Sequence, residues 1–129
     1  MMKYYFLLML FLAFSVNLYC QPRIGATENQ ILTEFNNKKF EKGYDEEGNK
    51  WISCHNGLGK MIYYLNIEND VCLFCVLVPD NQEILNNIVQ RYNEEYVIIS
   101  DTEWKKYTSR GVMNILLMFK DNGYFFSYF

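Results

Sequence analysis

One histidine, two prolines and no basic run longer than the pairs Lys38-Lys39 and Lys105-Lys106 occur in the 129 residues of this chain. Each scarcity removes a class of function. His55 stands alone, without a Ser or Cys nucleophile in a recognised turn motif, so a triad-type hydrolase has nothing to be built from. Scattered lysines and arginines give no basic stripe for a phosphate backbone, which excludes a nucleic-acid partner. Phosphate loops, dinucleotide fingerprints, calcium loops and HExxH helices are all missing. The carboxylate pairs Glu46-Glu47, Glu94-Glu95 and Asp101/Glu103 fall near turns or strand ends, where solvation is their ordinary role. The sequence therefore assigns no catalytic residue, metal ligand or cofactor.

What is present begins with a leader. Lys3 supplies a positive start, Tyr4 to Tyr19 is an uncharged and mostly apolar run, and Cys20-Gln21-Pro22 breaks into polar sequence. This order predicts a signal peptide over 1–20 and export to the periplasm or beyond, because the run is shorter than the roughly 20 residues a spanning helix needs. Cys20 has two readings. As the last leader residue its small side chain suits cleavage before Gln21; as a lipoprotein cysteine it would anchor the domain, although Tyr19 is large for that motif. Membrane contact is expected only through the leader or a lipidated Cys20.

Residues 21–129 then form one exported domain with 11 basic and 15 acidic side chains. Half of the chain is apolar and 18% aromatic, ample for a core. Thr27-Glu28-Asn29-Gln30 reads as a capping box ahead of Ile31, Leu32 and Phe35, and Asp80-Asn81-Gln82-Glu83 repeats it after Pro79, ahead of Ile84, Leu85, Ile88, Val89 and Tyr92. Strands are predicted at 40–45, 50–55, 58–66, 71–78, 96–100, 103–107, 112–119 and 124–129, the last two joined by Asp121-Asn122-Gly123. A shift of 53 positions superposes the caps, Ile31-Leu32 on Ile84-Leu85 and Trp51 on Trp104, suggesting an internal repeat over about 27–78 and 80–129. The expected fold is α+β: two helix-plus-meander halves sharing one antiparallel sheet, with both helices packed on one face.

In 58–66 and 112–119 both alternation sets are apolar or aromatic, so the second face needs cover from strand curvature, a partner protein or a second copy. Candidate protein-binding residues are Tyr124, Phe126 and Tyr128, with Phe125 and Phe129 on the other side of the strand, and the two tryptophans, Trp51 and Trp104. Packing each half's helix against its strands is the alternative role for the tryptophans. Strand alternation sets Cys72 and Cys75 on opposite faces, which argues against a redox or zinc pair. The disulfide left open to an exported chain is Cys54 with Cys72 or Cys75, or else all three are buried fillers.

The leader ending before Gln21, the paired caps, the Tyr-rich strands and the segment from Tyr96 through Trp104 to Tyr107 resemble small exported bacterial proteins. The element order is similar to the tandem helix-plus-meander layout of the β-lactamase-inhibitor-protein fold, although that inhibitor's two disulfides have no counterpart pattern. The resemblance implies a protein-binding scaffold. The expectation is a non-catalytic exported domain that binds a protein partner or itself, with an inhibitor- or immunity-like role among the options; a lipid-anchored envelope structural protein and an enzyme with an unrecognised site are the alternatives.

Overall fold

Turn chemistry and alternation build two helices and eight strands in the computed structural model, which describes residues 21–129; the expected leader and Cys20 lie outside the described residues. Helix α1 (Glu28–Glu34) starts on the capping box read from sequence: the Gln30 amide donates to Thr27 Oγ1 at 3.2 Å and the Thr27 amide to Gln30 Oε1 at 2.9 Å. Helix α2 (Gln82–Glu95) is capped one residue later than the sequence suggested, by Asn81, whose Oδ1 accepts from the Ile84 amide at 2.9 Å. Asp80 stays outside the helix, its amide donating to the Leu58 carbonyl at 3.0 Å and its Oδ2 lying 2.8 Å from His55 Nε2.

Strands β1 (Glu41–Tyr44), β2 (Lys50–His55), β3 (Gly59–Leu65) and β4 (Cys72–Pro79) follow α1; β5 (Val97–Ser100), β6 (Glu103–Thr108), β7 (Gly111–Lys120) and β8 (Gly123–Tyr128) follow α2. They form one antiparallel sheet in the order β1-β2-β3-β4-β8-β7-β6-β5. Each half is a helix and a four-stranded meander, and the halves meet where Cys75, Val76 and Leu77 pair with Tyr128, Ser127 and Phe126. The β7–β8 turn has Asp121 and Asn122 both at positive φ, the geometry of a tight type I′ hairpin.

Both helices lie on one face. Beneath them the register lines up Ile52, Tyr63, Cys75, Tyr128, Ile115 and Trp104 across six strands, all buried, with Met61, Leu77, Phe126 and Leu117 in the next row. Helix α1 contributes Ile31 and Phe35 to this core, and α2 contributes Leu85 and Ile88. Tyr92 on α2 meets Trp104 and Phe126 edge-on at 5.8 and 5.5 Å, and its hydroxyl lies 2.6 Å from that of Tyr128. The polar margin is tied as well. Glu28 at the start of α1 bridges Lys42 on β1 (2.9 Å) and Lys50 on β2 (2.7 Å), and Lys50 also reaches Asp70 at 3.0 Å.

The two tryptophans part company. Trp104 packs under α2, with its indole N–H donating to Asn93 at 2.8 Å, whereas Trp51, one residue out of phase with buried Ile52, lies on the other face. Gly43 opposite leaves room for it: a Cβ there would stand 2.5 Å from the indole ring.

Candidate functional site

The face away from the helices carries a second apolar surface that no described helix covers. Its residues alternate with the core rows: Trp51 from β2, Ile62 and Tyr64 from β3, Phe74, Val76 and Val78 from β4, Phe125 from β8, and Leu116 and Met118 from β7. Phe74, Val78 and Met118 remain 36, 40 and 40% exposed, and the others are half-buried by one another. From β2 to β7 this patch crosses four strand spacings, about 19 Å at the ~4.8 Å between paired strands. Tyr64 and Phe74, directly opposite in register, stack at 4.5 Å with their rings 12° apart. Burial, with Asp45 nearby, holds the Tyr64 phenol above its ordinary range. Lys60 sits 5.6 Å from the Trp51 ring, a cation over an aromatic face at the polar border.

This geometry corrects the residues nominated from sequence. Tyr124, Phe126 and Tyr128 do share one face of β8, but it is the helix face: Phe126 and Tyr128 are fully buried and Tyr124 packs against the core. Trp104 is core too. Trp51 alone of the nominated set lies on the uncovered face, joined there by Phe125. Aromatics line both sides of β8, so alternation fixed which residues go together but not which set faces the helices.

The thiols are corrected in the same way. The register shifts between Tyr64 and Leu65, whose partners are Phe74 and Cys72, so Leu73 is an extra residue in β4. That bulge restores Cys72 and Cys75 to one side, both buried, with their sulfurs 3.5 Å apart. Cys54 sits on β2 with β3 between it and β4, about two strand spacings away and beyond the ~7 Å Cα reach of a disulfide. Among the described residues no two of the three are joined by a disulfide, and all three are buried. Burial pushes the Cys75 thiol well above its ordinary range, with the Cys72 contact adding to the shift, which makes it a poor nucleophile.

His55 closes a loop. Its Nε2 contacts Asp80 Oδ2 at 2.8 Å and its Nδ1 accepts from the Gly57 amide at 3.2 Å, so both ring nitrogens are engaged. Among the described residues no group of three His, Cys, Asp or Glu side chains is placed to hold a metal, and no helix is long and apolar enough to cross a membrane. A groove of about 1000 Å³ runs on the helix side between residues 21–24 and α2. Its floor residues Met61, Leu77, Ile115 and Tyr128 are themselves buried, so a visitor would meet mainly the rim. Comparison with protein-family models, with curated proteins and with solved structures finds no match to this chain.

Proposed function

We propose that this is an exported, non-catalytic protein-binding domain that holds a folded partner against the uncovered face of its sheet, in the manner of an inhibitor or immunity factor. The observation that carries the reading is the apolar patch centred on Phe74, Val76 and Val78, bordered by Lys60, His55 and Asn114, with the small Ser127 between Val76 and Leu116. An apolar centre with a polar rim is how protein interfaces are built, and aromatic anchors supply most of their energy. Patches of this breadth on a single domain are commonly functional. The resemblance in element order to a protein-binding scaffold points the same way. Export through the leader belongs to the proposal, and its direct check is intact mass: a secreted form beginning at Gln21 supports it, an acyl mass on Cys20 indicates tethering, and a retained leader removes it.

The binding test places a photo-crosslinker at Val78 or Met118 on the patch and, as control, at Ile84 of α2 on the opposite side. A single partner species should crosslink from the patch positions in the native compartment and not from Ile84. Val78→Lys and Met118→Lys should each weaken that partner's binding about tenfold or more with the urea midpoint held, since a charge in an apolar interface must be desolvated. Unchanged binding in both folded variants would remove the patch from the function.

A further inference from the structure

The two edges of the sheet differ. At one end, β1 carries Glu41 and Lys42, and Lys42 is drawn to Glu28 at 2.9 Å; charges of this kind discourage another strand from adding. At the other end, β5 reads Val97-Ile98-Ile99-Ser100, without charge or proline, and its three aliphatic side chains are 47, 55 and 49% exposed. Among the described residues no strand neighbours the backbone groups on its outer side. The strand is short and carries a bulge at Ile99, yet Val97 and Ile98 stay regularly paired with Lys105 and Trp104.

Charge around β5 selects what can pair with it. From Glu94 to Glu103 the chain has four carboxylates and no cation: Glu94 and Glu95 before the strand, Asp101 and Glu103 after it. Glu94 and Glu95 also end α2, whose last turn has no basic residue to offset the negative pole of the helix. Arg91 meets Glu95 at 3.7 Å, and Lys105 and Lys106 belong to β6, one strand inward. A second copy of this chain pairing here, parallel or antiparallel, would set carboxylates against carboxylates at both ends. We propose that β5 takes up, by strand addition, an extended segment of a partner protein in which aliphatic residues are bracketed by lysine or arginine at both ends. Main-chain hydrogen bonds supply the attachment, and the acidic flanks select the basic-ended segment and reject self-association.

The test titrates the purified chain with labelled peptides of alternating valine and threonine, ended by two lysines, by two glutamates, or by two lysines with alternate amides N-methylated. Fluorescence anisotropy should show the lysine-ended peptide binding about tenfold or more tighter than the glutamate-ended one, with the N-methylated peptide not binding, because strand addition needs its amides. Ile98→Lys should weaken the lysine-ended peptide about tenfold or more. The paired reversal Glu95→Lys and Asp101→Lys should invert the preference between ends, and this arm decides the matter if Ile98→Lys fails to fold. Val78→Lys on the sheet face should leave peptide binding unchanged, which separates this edge from the face proposed above. Equal binding of all three peptides, or none by any, overturns the proposal. Sedimentation showing a dimer that Ile98→Lys abolishes would assign the edge to a second copy instead and overturn it as well.

Discussion

A pair of phenols holds the centre of the core together. Tyr92 and Tyr128 share a hydrogen bond of 2.6 Å, and burial raises both hydroxyls far above their ordinary range, so the pair stays protonated at any working pH. Removing one hydroxyl strands the other without a partner. Tyr92→Phe and Tyr128→Phe should each cost about 1–3 kcal/mol in urea unfolding, while the double variant should cost clearly less than their sum. An additive result would show that each hydroxyl has another partner. Glu28 gives the second residue-scale prediction. The hydrogen bond from Lys50, with the Lys42 ammonium paired beside it, lowers its carboxyl below the ordinary glutamate value. The stability it contributes is therefore present above about pH 4.3 and is lost as pH falls through the lower folded value. Lys50→Met should flatten the decline of the urea midpoint between pH 5 and pH 3 relative to the parent chain, by a margin the paired titrations measure directly.

Elements were far more legible than faces. Period-two runs bounded by Glu46-Glu47-Gly48-Asn49, Glu68-Asn69-Asp70 and Asp121-Asn122-Gly123 located every strand to within a residue or two, because turn residues and alternation report on the backbone. Alternation cannot say which set is inside when both are apolar, and so it offers Tyr124, Phe126 and Tyr128 to the surface although Phe74, Val76 and Val78 are the residues that lie there. A bulge is invisible to it as well: Leu73 shifts the phase within β4 and brings together two cysteines that strict alternation separates. A shift of 53 positions shows the same limit, since it superposes Trp51 on Trp104 in the second strand of each half and carries no signal that Ile52, not Trp51, turns inward. Gly59 has no local signal in the sequence. Its need arises across the sheet, where a Cβ would stand 2.0 Å from the Val78 carbonyl oxygen, against backbone that cannot rotate away. Gly59→Ala should destabilise by about 1–3 kcal/mol or more in urea unfolding, through strain at the β3–β4 pairing. Full stability in that variant would mean the two strands sit further apart than described.

At the scale of the molecule, the two meanders depend on a short seam. Three residue pairs join β4 to β8, whereas β7 and β8 share six. The core rows cross that seam without interruption, from Ile52 to Trp104, so unfolding should be a single transition although each half is a helix and a meander. Replacing Phe126, which sits at the seam with no exposure, by Ala should cost about 3–5 kcal/mol. Fluorescence of Trp51 and Trp104, one in each half, should report the same midpoint in the parent chain; two separated midpoints would show that the halves fold independently. The position of β8 also bears on timing. It is the last strand in chain order, yet it lies between β4 and β7 in the middle of the sheet. Residues 72–79 therefore wait on residues 123–128, a partner about fifty positions downstream, and closing so long a loop delays the central contact. A chain emerging from synthesis can assemble β1 to β4 as a meander but cannot bury the row that joins Cys75 to Tyr128 until its final strand is available. Until then the inner edge of β4 stays open, and the core row closes only when β8 seats between the two meanders.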